Sequence, residues 1–344
     1  MAAVTLTESP AAPELTSNAG RGAADVDEHV DEHTSDGTGA PLTAASIRSA
    51  LAPFRHGVGD PTTRLVTTDS SGDFVRATST PDGPATVRVR WSAPSPSAEA
   101  SVDADAWGPG GDWLIDRVDA MTGTLDPGAR QLESADHPVV AHAARAGRHL
   151  RFGASHDLYH ELLPTIIEQR ITSGEAVRQW ARLCRTLGRP APGPWPDLVL
   201  PPAASDLART PTWWFHPLGI ERKRASALVE VARHAPKYWD WAGRGPGETA
   251  RLLGLLRGVG VWTIGSVLGP ALGDPDALCV GDYHAKNVVA WALDREPRGT
   301  DDEMLDRLAP FAGQRGRVLR MLGAAGYRPP AFGPRQRILP MHRW

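Results

Sequence analysis

The chain has 344 residues, 41% of them hydrophobic and 22% charged, with a formal net charge of −3; this is the composition of a globular protein with room for two or three compact domains. No run of about 18 apolar residues occurs, which excludes a membrane-spanning helix, and the N-terminus lacks the basic start and apolar core of a secretory signal. Two cysteines, Cys184 and Cys279, exclude a disulfide framework, a thiolate zinc site and a four-cysteine iron–sulfur cluster. A cytoplasmic monomer without a thiolate-bound metal is expected.

Residues 1–40 hold eight acids against one base, Arg21, and almost no large apolar side chain; they carry −7 and leave +4 for the rest. Such a segment buries too little apolar surface to offset chain entropy and is expected to be a disordered acidic tail. Residues 41–130 change to short β-like runs at Arg64–Thr68, Phe74–Ser79, Thr86–Trp91 and Val102–Trp107, with Thr80-Pro81-Asp82-Gly83-Pro84 as the turn between the second and third. A small α+β domain with an antiparallel sheet is expected there. Beyond Asp112 the spacing is helical. Apolar stripes run through Leu158, Leu162 and Ile166, through Ala176, Trp180 and Leu183, and through Ala225, Leu228 and Val229. Others run from Leu252 to Val259 and from Ala285 to Ala292, and a last helix covers roughly Arg315–Ala324. The Pro-rich stretch Pro190–Pro202 separates two helical groups. The chain therefore reads as mostly α, with the sheet domain first, a helical domain over 131–328, and a basic C-terminal tail over 329–344. From Arg307 onward there are eight arginines and no acid, compatible with phosphate contacts and equally with an ordinary charged surface.

The most informative segment is Leu255-Leu256-Arg257-Gly258-Val259-Gly260-Val261-Trp262-Thr263-Ile264. It reads as a helix ending at Gly258, a turn at Val259 and a second helix opened by Gly260. Two glycines permit a tight hairpin and leave backbone N–H groups uncovered at a helix N-terminus, a geometry that suits a DNA phosphate without reading sequence. About twenty residues on comes Val280-Gly281-Asp282-Tyr283-His284-Ala285-Lys286-Asn287. A Gly-x-Gly-x-Trp-Thr hairpin followed by an Asp-Tyr pair opening a helix resembles the helix–hairpin–helix DNA glycosylases, specifically their 3-methyladenine DNA glycosylase II branch. Glu168-Gln169-Arg170-Ile171-Thr172, and Leu218-Gly219-Ile220 leading into Arg222-Lys223-Arg224-Ala225, resemble further elements of that branch. The helical resemblance covers roughly 150–328, and 55–130 is more loosely similar to the sheet domain preceding it.

The resemblance implies base excision repair on double-stranded DNA: a damaged purine, first of all an alkylated one, is flipped out and hydrolysed from its sugar. Asp282 would be the carboxylate that stabilises the oxocarbenium-like sugar and activates water, with a plain helix N-cap as its alternative role. Bifunctional relatives carry Lys in the hairpin where this chain has Trp262, and Lys223, Lys237 and Lys286 lie outside it, so a monofunctional enzyme leaving an abasic site is expected. Trp262 would offer a flat face to a cationic base. Tyr283, Gln169 and Trp214 are further pocket candidates, each with a packing or helix-end alternative. Phe152, in Leu150-Arg151-Phe152-Gly153, is the candidate wedge or else packs between domains. Gly258, Val259, Gly260 and Thr263 would grip phosphate. No cofactor is required, although the Leu256 and Val259 carbonyls are candidate ligands for a monovalent cation. The pairs His29/His33 and His156/His160 give no metal set and read as surface residues or, for the first, as part of the tail. Ser266 and Leu322 stand where better-known members carry further pocket aromatics, which leaves the damaged base open. A noncatalytic damaged-DNA-binding module, or an unrelated helical protein, are the competing readings.

Overall fold

A computed structural model describes residues 41–330 and the backbone of 4–6. Most of the acidic segment and residues 331–344 lie outside the described residues. Val4–Leu6 forms a strand, β1, where disorder is expected from composition.

The four expected strands are present as β2 (Thr63–Thr67), β3 (Ser71–Thr80), β4 (Gly83–Ser92) and β5 (Ser101–Trp107). They form an antiparallel meander, and β1 adds in parallel beyond β5, giving the order β1-β5-β4-β3-β2. The β3–β4 turn falls on Pro81 and Asp82, with Thr80 opposite Gly83 and the Thr80 hydroxyl donating to the Gly83 carbonyl at 2.9 Å. Alternation along β3 sends Phe74 into a core shared with Ile47 and Leu51 of α1 (Ala44–Leu51), and sends Val75 and Ala77 to the other face. There they meet Leu198 and Leu200 of the Pro-rich stretch, and the Val199 N–H donates to the Pro61 carbonyl at 2.9 Å. The stretch that reads as a separator is thus a cover on the sheet.

Two short helices follow the sheet, α2 (Gly111–Ile115) and α3 (Val118–Thr122), then α4 (Pro138–Ala146). The expected stripes fold as α5 (Leu158–Glu168), α6 (Ser173–Leu187) and α8 (Arg222–His234), with the short α7 (Ala204–Arg209) before α8 and α9 (Tyr238–Ala242) after it. Then come α10 (Pro246–Leu253), α11 (Val261–Leu272), α12 (Ala285–Asp294), α13 (Asp301–Leu308) and α14 (Arg315–Ala324). The stripe from Leu252 to Val259 is only partly helical: α10 stops at Leu253, Leu255 is 71% exposed, and Leu256 and Val259 turn inward. The helical region holds two cores. Leu162, Ile166, Trp180, Leu183 and Leu228 belong to one, whereas Val140 and Ala144 of α4 pack with Val289, Met304 and Met321 of the C-terminal helices. Among the described residues no helix is long and apolar enough to cross a membrane.

A buried polar network ties the sheet to α5. The Arg76 guanidinium donates to Glu161 Oε1 (2.6 Å) and to the Phe54 carbonyl (3.1 Å), with both charged side chains out of solvent. Beside them the Thr78 hydroxyl donates to Asp157, whose other oxygen accepts the His160 N–H at 2.9 Å as the α5 N-cap. His160, expected at the surface, is fully buried between Thr78 and Thr62, because its two ring nitrogens are satisfied by their hydroxyls at 3.0 and 3.1 Å. Burial tends to raise the Glu161 carboxyl, but Arg76, His56 and Ser155 hold it below its usual value. For Asp157 burial prevails over Arg76 and the hydrogen bonds, and the carboxyl is pushed up to about 6.

Asp157 therefore binds its proton more tightly in the folded chain than in the unfolded one. The stability this contributes is full below the unfolded value of 3.8 and is lost as pH rises through about 6. Asp157→Asn keeps an acceptor for the His160 N–H and has no proton to lose. Between about pH 5 and about pH 7.5 the Tm of wild type is expected to fall relative to that of the variant; thermal melts at the two pH values check this, and parallel shifts would refute it.

Candidate active site

The hairpin forms where the sequence places it. Gly258 has φ +92°, and a Cβ there would lie 2.6 Å from the Ala227 Cβ of α8, so this glycine is a folding requirement. Gly260 is different: its φ is −104° and a Cβ would meet nothing within 4 Å. It precedes α11 without a side-chain cap, and Gly260 and Val261 are exposed. The first-turn N–H groups of α11 therefore face outward, as a helix leaves them without internal acceptors. Val259 anchors the turn in the helical core. Gln169, considered for the pocket, braces the hairpin instead: its amide donates to the Gly258 carbonyl (3.0 Å) and to the Thr263 hydroxyl (2.9 Å). Thr263 is buried, with its hydroxyl bonded to the Gln169 amide.

Asp282 lies on the loop before α12. Its Oδ1 accepts the N–H groups of His284 (2.7 Å) and Ala285 (2.8 Å), and its backbone N–H donates to the Cys279 carbonyl (3.0 Å). Its Oδ2 meets the Trp262 indole N–H at 3.5 Å. One carboxylate oxygen thus holds the start of α12, and the other has only the long contact to Trp262. Asp301, which nothing in the sequence singled out, steadies this loop by accepting the Gly281 N–H (2.9 Å) and the Lys286 ammonium (3.0 Å).

A cavity of about 220 Å³ opens where the sheet domain, α11 and α14 meet, lined among others by Pro53, Phe152, Gly265, Ser266, Cys279 and Arg320. The Ser266 hydroxyl donates to the Trp262 carbonyl (2.8 Å) and lies 3.3 Å from Cys279 Sγ, so the cavity wall continues directly into the Asp282 loop. Ser266 is on the cavity, as its register implies. Leu322 is not: it is fully buried in the C-terminal core, and α14 presents Gly316, Leu319 and Arg320 to the cavity instead. Phe152 is 6% exposed, its ring 4.7 Å from the Arg317 guanidinium and 4.4 Å from that of Arg320. It is a cavity wall in this arrangement rather than a projecting wedge. Tyr283 is 66% exposed, packs edge-on against His284 and is not among the residues lining the cavity. Trp214 packs edge-on against Phe215 at the helical core, 5.4 Å between centroids, and is not among the residues lining this cavity. The signals missed in the sequence were Gly265, one turn into α11, and the arginines of α14.

Solved structures share this fold. The 3-methyladenine DNA glycosylase from Archaeoglobus fulgidus matches with a TM-score of 0.62 at 16% identity, over 83% of this chain and 94% of that one. The 8-oxoguanine glycosylase/lyase of Clostridium acetobutylicum, in complex with double-stranded DNA containing cytosine opposite 8-oxoG, matches with 0.59 at 12% identity, over 81% and 90%. No family model matches the sequence, and no curated protein does. At these identities the likeness is one of fold: the chain has the fold of the helix–hairpin–helix DNA glycosylases.

The two hairpin glycines separate stability from binding. Gly258→Ala is expected to cost about 1–3 kcal/mol, from the positive φ and the Ala227 contact. Gly260→Ala is expected to leave the melt within about 0.5 kcal/mol of wild type while weakening duplex binding. Urea unfolding and fluorescence anisotropy with a duplex check both.

Proposed function

We propose that the chain is a monofunctional DNA N-glycosylase of base excision repair, with Asp282 as its catalytic carboxylate. The observation that carries this reading is Asp282 Oδ2 within 3.5 Å of the Trp262 indole on the first turn of the uncapped α11, with Cys279, three residues earlier in the same loop, lining a cavity of about 220 Å³. In this reading the first-turn amides of α11 hold a phosphate, so the backbone is gripped without sequence preference. The damaged purine leaves the stack and enters the cavity. A water oxygen bonds to C1′ as the bond from C1′ to the base nitrogen breaks; the base departs with the electron pair, neutral at once where the lesion was cationic and otherwise taking up a proton from solvent. Asp282 positions the water, takes its proton and opposes the positive charge on the sugar. The Leu256 carbonyl, which accepts the Val259 N–H at 3.1 Å, and the Val259 carbonyl are the candidate ligands of a monovalent cation that would reinforce the phosphate grip.

Strand cleavage by an amine is not part of the proposal. The hairpin position carries Trp262, and Lys286, four residues beyond Asp282, is held by Asp301. Alkylated purines are the lesions implied by the sequence resemblance; many of them are cationic, and the cavity wall carries a cation of its own.

Asp282→Asn preserves acceptors for the His284 and Ala285 amides, so the variant is expected to fold and to bind duplex DNA with the same salt dependence as wild type. Base release is expected to fall by about 10²–10⁴-fold. Mass spectrometry of bases released from methylated, deaminated and oxidised duplexes checks this. Binding without release of any base by wild type would favour a noncatalytic damaged-DNA-binding module.

A further inference from the structure

Two cations stand at the hairpin on different elements. Arg257 precedes Gly258 in the turn and is exposed. Lys223, also exposed, lies on α8 one turn and about 6 Å before Ala227, on the stripe that the hairpin meets at Gly258. The end of α5 ties the two together. Arg224, next to Lys223, donates to the Ile167 carbonyl at 2.7 Å, and Gln169, two residues on, donates to the Gly258 carbonyl at 3.0 Å. Neither Lys223 nor Arg257 forms an ion pair with a described carboxylate. Arg251 of α10 is held by Glu248, and Lys286 by Asp301.

The acids of these elements have other partners. Glu221 lies 3.8 Å from Arg224, and Glu230 lies 3.8 Å from His234. Glu168 accepts the Ser173 hydroxyl at 3.1 Å, with the exposed Arg170 two residues on. Asp282 is the exception, because its Oδ2 reaches the first turn of α11 at Trp262. A helix N-terminus is worth roughly half a positive charge, which is less than the full negative charge of that carboxylate. The α11 amides alone are therefore a weak grip for a phosphate, and full cations are needed beside them.

We propose, resting on the glycosylase reading, that Arg257 and Lys223 each bind a phosphate of the duplex backbone next to the one at the α11 amides. They supply the positive charge that these amides, facing Asp282, lack. Such contacts fix the register of the DNA and carry no sequence information.

The test is fluorescence anisotropy of the full chain with a duplex carrying a tetrahydrofuran abasic analogue, between about 0.05 and 0.3 M KCl. Arg257→Gln and Lys223→Gln are each expected to reduce the slope of log K against log salt by about 0.9, and the double variant by about 1.8. At about 0.15 M salt this is a fivefold loss of affinity per charge. Both side chains are exposed, so the melts are expected to match wild type. Lys237→Gln, beyond the far end of α8, is expected to keep the slope, as are the charge-conserving Arg257→Lys and Lys223→Arg. A second measurement needs no variant. The chain has three lysines, and bound duplex is expected to protect Lys223 from acetylation while Lys237 stays reactive, read by peptide mass spectrometry. An unchanged slope in either Gln variant, an equal loss in Lys237→Gln, or an unprotected Lys223 overturns the inference. Base release by wild type alongside that result leaves the glycosylase reading standing. The expected slopes without release of any base support the inference and overturn the catalytic reading; no duplex binding by wild type overturns both.

Discussion

The site depends on one close approach. A Cβ on Gly265 would lie 1.9 Å from the Leu278 carbonyl, so α11 touches the chain leading to Asp282 through bare backbone. That contact sets the spacing of everything above it. Trp262, one turn earlier on α11, comes within 3.5 Å of Asp282, and Ser266 meets Cys279. Gly316 makes the same economy on the other side, where a Cβ would lie 2.3 Å from the Ala277 carbonyl. The segment before Asp282 is thus clamped between two helices at glycine contacts. A side chain at either position displaces the carboxylate relative to the hairpin.

The electrostatics near the last helix follow from how its arginines are paired. Counted along the sequence, the C-terminal end is a basic stretch suited to phosphates. In the fold, Arg307, Arg315 and Arg317 are neutralised by carboxylates that lie 4 to 191 residues away in the chain. Arg320 lies at the cavity wall without an ion pair to a described carboxylate, and Arg257 stands exposed beside Gly258 in the hairpin. Phe152 illustrates the same point from the apolar side. Its loop is fixed by Asp126, which accepts the Phe152 N–H at 2.8 Å and pairs with Arg317 at 2.5 Å, so the ring is held in the wall.

Much of this was legible in the residues. Alternation located the strands, periodicity the long helices, and the hairpin and Asp282 were recognisable because they are local patterns whose spacing is set by helix geometry. What was not legible is long-range. Arg320 meets Ser49, and Arg317 meets Leu150, across 271 and 167 residues, and no local pattern announces such pairs. Leu322 was assigned to the cavity because a register carried from a resemblance slips easily within a helix, whereas the stripe facing the cavity is fixed by packing of α14 on α4. Gln169 and Thr263 were placed individually, and only the fold reveals that they bond to each other.

The split core also orders events in time. The helices carrying Asp282 close only when α4, made before residue 150, finds α12–α14 at the far end of the chain. Contacts of such sequence separation form late, since loop closure precedes any gain from them. During synthesis the sheet and the α5–α11 body can assemble on the ribosome before the last helix emerges. The nascent chain would therefore possess its hairpin before the Asp282 carboxylate is locked in position.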